Sequence, residues 1–443
     1  MTTVRTPARV ALGGLTVLGL AGGLVLVGGV TGGPAPGAPS PRPVATLSVP
    51  AAPDDALGRS IAARQTQLAA NPNDYQGWAD LGLAYVQQAK ITVDPSYYPR
   101  AEGALSRSLA LNSKDNFSGL AGEAALQAAL HNFRAARTFA MRGIAINHYS
   151  ATLFGALADA ETQLGNYDAA AKAVQRMNDL TPGVPAFTRA SYVFELRGDV
   201  AHAEQALQRS LRDSVGPADT AFVDYYLGEL AFNYGRDLNK ALAYYASGLV
   251  ASPRDYTNLD GQAKVEAAMG ATEAALRDYR AVVAAAPQPQ YVLELAELEE
   301  SLHLPDAARQ YALFHAEERL FTASGVTLDV EPTLFEADHG SPARALAYAT
   351  AGWQVRPFVE MADAYAWAEH VNGHDAAALT WSERALATGW SNALFLFHRG
   401  MEEKGLGRTD AARRDLRKAL SVNPDFNVLQ APVARQALAA LGG

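Results

Sequence analysis

Two histidines four residues apart, His370 and His374 in the stretch AEHVNGHDAA, with Asp375 beside the second, carry the strongest metal-binding signal in this chain of 443 residues. On a continuous helix that spacing turns both imidazoles to one side, the arrangement that holds zinc in helical metal sites. Gly373 stands between them, where a helix break is expected, and the glutamate that such a site needs between its histidines is absent. The expectation is no metal site, no catalytic residue and no cofactor. His339, in FEADHGSPARA, reads as a helix-ending residue. There is no Gly-x-Ser-x-Gly elbow, no phosphate-cradling glycine loop and no calcium-loop spacing. Asn116-Phe117-Ser118 matches a glycosylation acceptor, a pattern short enough to arise by chance.

Composition narrows the classes further. The absence of cysteine excludes disulfides, thiolate metal ligands, a cysteine nucleophile and a lipidated cysteine. With 37 basic and 46 acidic residues the net charge is -9, and no basic block lies beyond the N-terminus, so nucleic acid is not an expected partner. A hydrophobic content of 49% supplies ample buried core.

At the N-terminus, Arg5 and Arg9 precede the uncharged run VALGGLTVLGLAGGLVLVGGV, Val10 to Val30, and a proline-rich stretch follows. As a helix this run would rise about 31 Å, enough for a hydrocarbon core of roughly 30 Å. The flanking positive charge places residues 1–9 in the cytoplasm and everything after the run outside it. The expectation is a cell-membrane protein, single-pass through residues 10–30 with an extracytoplasmic C-terminal region, or secreted if the segment is a cleaved signal sequence. Residues 31–55 read as a Pro/Ala/Gly-rich linker.

Beyond the linker the sequence repeats itself. Ala101, Ala136, Ala170, Ala203, Ala241, Ala275, Ala308, Ala345, Ala378 and Ala412 follow one another at intervals of 33 to 38 residues. Five residues before six of them stands a glycine (Gly165, Gly198, Gly270, Gly340, Gly373, Gly407), and twelve after five of them a proline (Pro182, Pro253, Pro287, Pro357, Pro424). Glycine can end a first helix, alanine lets a second helix approach its neighbours, and proline stops that second helix. LGNYDAAAKAVQRMNDLTP from Leu164 and LGRTDAARRDLRKALSVNP from Leu406 show the full set.

These motifs, with Trp78, Leu81, Gly82 and Tyr85 in GWADLGLAYVQQAK, resemble those of tetratricopeptide repeat (TPR) proteins, and the signal layout and alanine content suggest a bacterial exported or membrane-anchored type. The resemblance covers roughly residues 56 to 443. It implies an all-α fold, an α-solenoid of stacked helix-turn-helix units after the N-terminal transmembrane or signal helix, with Gly82 permitting close helix crossing. Residues 56–320 form one solenoid segment, 321–332 an insertion or hinge, and 333–443 a second segment with a C-terminal capping helix. Little chain remains for a catalytic domain.

In this family the first helix of each unit lines a concave face. Carrying the family's spacing over unit by unit implies ligand contacts at Glu123, Asp159, Tyr192, Tyr225, Glu229, Asn233 and Asp260, with Lys264 the main cation among them. The acidic and aromatic lining implies a protein or peptide partner with apolar and basic residues. The resulting expectation is a non-enzymatic, extracytoplasmic interaction scaffold. The alternative is a metal-dependent hydrolase using His370 and His374, or a regulatory subunit of an enzyme, which metal analysis would distinguish.

Overall fold

In the computed structural model, residues 56–442 apart from 93, 236 and 328 are described, and among them every regular element is helical. Helix α1 (Ala56–Ala70) leads into antiparallel pairs: α2 (Tyr75–Thr92) with α3 (Tyr98–Leu111), α4 (Phe117–Ala129) with α5 (Phe133–Ile146), and α6 (Ala151–Gln163) with α7 (Tyr167–Leu180). Next come α8 (Val184–Leu196) with α9 (Val200–Arg212), α10 (Pro217–Leu230) with α11 (Leu238–Ala251), and α12 (Tyr256–Ala268) with α13 (Thr272–Ala285). The series continues with α14 (Pro289–Ser301) and α15 (Ala307–Ala323), α16 (Val330–Asp338) and α17 (Pro342–Val355), α18 (Val359–Val371) and α19 (Asp375–Ala385). It ends on α20 (Ala393–Gly405) with α21 (Thr409–Val422), closed by α22 (Gln430–Ala440).

Local chemistry sets the boundaries. Asp199, Asp237 and Asp255 cap α9, α11 and α12 by accepting from the backbone N–H three residues on, satisfying donors that the first turn leaves unpaired. Each repeat proline follows two residues behind the end of a second helix, as Pro182 does α7 and Pro424 does α21. Nine of the ten register alanines are buried to within 1% exposure. The exception is Ala308, which is exposed: Ala307 takes the inward position, so the register slips by one where Leu304-Pro305-Asp306 replaces a glycine turn. At Gly82 an added β-carbon would stand 2.5 Å from Leu105 Cγ, so α2 and α3 cross where only glycine fits.

The array then coils back on itself. Thr327, between α15 and α16, donates its N–H to Leu130 O and accepts His131 Nδ1 at 2.8 Å, fastening the segment expected as an insertion or hinge to the α4–α5 turn. Arg356, between α17 and α18, is fully buried; Nε donates to Gln163 Oε1 at 2.6 Å and Nη1 to Asp329 Oδ1 at 2.9 Å. Its guanidinium lies 3.9 Å from the Phe358 ring centroid. Further along, Trp390 Nε1 donates to Tyr234 OH. Successive turns of the superhelix therefore touch.

The expected single-pass membrane localisation is corrected here. Among the described residues no helix is long and apolar enough to cross a membrane. The longest, α2 with 18 residues, carries Asp80, Gln87, Gln88 and Lys90, which a hydrocarbon core would strand. Residues 10–30, on which the anchor or signal reading falls, lie outside the described residues.

Candidate functional site

Consecutive first helices α10, α12 and α14 bring three carboxyl groups together around one ammonium. Glu229 Oε1, on α10, accepts from Tyr245 OH at 2.6 Å and from Lys264 Nζ, on α12, at 3.1 Å. Asn233 reaches back to Glu229 Oε2 at 3.5 Å from a single π-helical turn that extends α10. Glu294, on α14, accepts from Gln290 Nε2 at 3.0 Å and Tyr279 OH at 3.3 Å. Asp260 lies fully buried one turn before Lys264, and neither of its oxygens meets a protein donor beyond the proton it can share with Glu294.

The electrostatics follow from this crowding. Burial pushes the Asp260 carboxyl well above its ordinary value, and the neighbouring Glu294 and Glu229 charges push the same way against Lys264. Burial alone would lower the Lys264 ammonium, but Glu229, Glu294 and Asp260 together hold it well above its usual value. The result is an acidic cluster closed on one lysine and backed by buried tyrosine rings, Tyr225 and Tyr245 among them, with their centroids 6.2 Å apart.

Of the expected concave residues, Tyr225, Glu229, Asn233 and Asp260 meet in this one place. Asp159 stands apart in a bidentate pair with the buried Arg189, at 2.6 and 2.8 Å. Lys90 is exposed; desolvation lowers its pKa, and the Asp159 charge of that pair opposes the shift. Tyr192 is buried and donates to Glu360 Oε1 at 2.8 Å, so the chain's own later turn occupies its hydroxyl. Glu123 is buried on α4, where desolvation raises its pKa. Glu294 escaped sequence reasoning because the register, extended by one unit, falls on Leu293 and Glu297, one residue before it and three after. Glu360 and Trp390 carried no local signal, since they arrive from the next superhelical turn.

The histidines resolve differently from a metal pair. Gly373, at φ +80°, breaks the chain between α18 and α19, so His370 faces Asp375 and His374 faces Glu369. Among the described residues no group of three potential ligands gathers. His339 follows the last residue of α16 and meets Glu297 and Glu300 at 3.5 and 3.4 Å.

Residues 393–426, which hold α20, α21 and the following Pro424, match the family model for the tetratricopeptide repeat. This chain carries a tetratricopeptide repeat. No curated protein matches it in sequence. Among solved structures, a tetratricopeptide repeat protein from Parabacteroides merdae is 19% identical, with 59% of this chain and 99% of that chain covered at a TM-score of 0.36. TTC0263, a thermophilic TPR protein of Thermus thermophilus, is 24% identical, with 44% and 98% covered at a TM-score of 0.38. The Cut9–Hcn1 assembly of APC/C is 11% identical over 87% and 90%, at a TM-score of 0.41. The tetratricopeptide-type solenoid assigned to this chain rests on its own helix pairing and register.

Proposed function

We propose that this protein is a non-catalytic scaffold that holds a polypeptide segment bearing apolar and basic residues against the concave face of its solenoid. The observation that carries the reading is the grouping of Glu229, Asp260 and Glu294 around the single cation Lys264. A lysine or arginine side chain entering there would neutralise carboxylates already desolvated by the fold. Repeat solenoids suit this task because stacked units make a long continuous surface.

The test uses the full chain and a fluorescein-labelled peptide of alternating arginine and leucine. Glu229→Gln with Glu294→Gln should weaken binding by about tenfold or more, the signature of a desolvated charge contact. Unchanged affinity in a variant that unfolds like the parent would remove the assignment.

A further inference from the structure

A second recognition surface arises where the superhelix meets itself. Between α7 and the end of α19 lies a cleft of about 840 Å³, lined on one side by Tyr167, Lys172 and Arg197 and on the other by Arg384, Ala387 and Thr388. We propose that this cleft docks a carboxylate-rich polypeptide segment, which would bridge two turns of the solenoid. This goes beyond the concave-face reading, with which it shares neither residues nor sign of charge.

Charge complementarity carries the inference. The whole chain is acidic, at -9, yet the cleft gathers Arg137, Lys172, Arg197 and Arg384 against only Glu161 and Asp168. Glu161 is buried and already engaged, by Arg137 Nε at 2.7 Å and Asn166 Nδ2 at 2.7 Å. Asp168 holds Arg197 at 3.3 Å with both side chains exposed, a weak pair that a better-placed carboxylate can displace. Lys172 and Arg384 have no carboxylate within ion-pair distance among the described residues; Arg384 rests instead on Trp381 and Trp353, 4.9 and 5.8 Å from their centroids. Both are exposed.

The lining favours a peptide: Val193, Leu196 and Ala387 give an apolar floor for a side chain between two acidic ones. A nucleic-acid backbone would bring unbroken negative charge past Asp168 and the acidic remainder of the surface. Because Lys172 and Arg384 belong to different turns, an occupant contacting both would hold those turns together.

The experiment uses the full chain and a fluorescein-labelled octapeptide, Glu-Glu-Leu-Glu-Glu-Leu-Glu-Glu, followed by fluorescence anisotropy at low and physiological salt. Binding should weaken with salt and raise the thermal midpoint of the protein. K172E with R384E should weaken it by at least about tenfold, K418E, outside the cleft, should leave it unchanged, and D168N should tighten it. The double variant should still take up the arginine–leucine peptide, which separates failure here from failure of the concave-face reading. The proposal falls if the acidic peptide does not bind, if K172E with R384E leaves its affinity intact, or if a single-stranded oligothymidylate displaces it.

Discussion

A β-carbon on Gly165 would stand 2.4 Å from the carbonyl oxygen of Pro357. The turn that ends α6 is thus also the surface on which the loop before α18 rests. Gly165→Ala meets two penalties: a φ of +74°, left-handed and costing a side chain about 1–2 kcal/mol, and displacement of Pro357. Gly270 has almost the same φ, +75°, with nothing within 4 Å of its added β-carbon, so Gly270→Ala meets only the first. Urea unfolding should therefore place the Gly165→Ala midpoint below that of Gly270→Ala. Equal losses would show that contact between turns contributes little.

Arg356 supplies the second prediction. It and Asp329 are both fully buried in their ion pair, so Arg356→Met leaves an uncompensated carboxylate and should cost about 3–5 kcal/mol. Adding Asp329→Asn removes that charge while keeping an oxygen for the Val330 N–H, which Asp329 Oδ1 accepts at 2.7 Å. The double variant should recover part of the loss in denaturant unfolding. No recovery would mean that the packing of Arg356 on Phe358, and not its charge, dominates.

Stability should fall as pH rises. Burial pushes Glu195, Glu317 and Glu331 up to about 7 and Glu402 up to about 8. Between the ordinary glutamate value of 4.5 and about 8, the folded chain keeps protons that the unfolded chain has released, so unfolding becomes easier with each step up in pH. His131 acts in the opposite sense: burial lowers it to about 4, so the unfolded chain gains the extra proton only below its ordinary 6.5. Among these groups the loss above pH 6.5 thus belongs to the carboxyls. Thermal midpoints at pH 6.5, 7.5 and 8.5 should descend, and Glu402→Gln, which keeps an acceptor for Ser382 Oγ, should flatten the slope. A rising series would contradict this.

Binding of the arginine–leucine peptide should show the reverse trend. Asp260 is held above its ordinary value by burial and by Glu294, and a bound cation favours its charged form. Affinity should therefore increase with pH as Asp260 gives up its proton, with proton release detectable by calorimetry in buffers of different ionisation enthalpy. Asp260→Asn should abolish the proton release. Persistence of that release would assign the proton to another group.

The sequence by itself determined the unit and its repetition. Glycine, alanine and proline keep one register because each acts within its own helix pair, and short-range geometry repeats whenever the residues do. Hence the helix breaks at Gly373 and Gly407, the crossing at Gly82 and the buried alanines were legible, and only the glycine-free turn before Ala307 slipped. Glu229 and Asp260 were singled out in the same way, as positions on a repeating face, and the structure brings both to Lys264. What only the tertiary structure decided was how far the stack curls. Curvature is the sum of small rotations between pairs, written in no single motif, and it brings Arg356 to Gln163, Trp390 to Tyr234, Glu360 to Tyr192 and Arg384 across from Lys172. Those encounters close part of the inner face with the chain's own later helices and open a basic cleft between turns, because residues remote in sequence become neighbours only once every intervening rotation has been added.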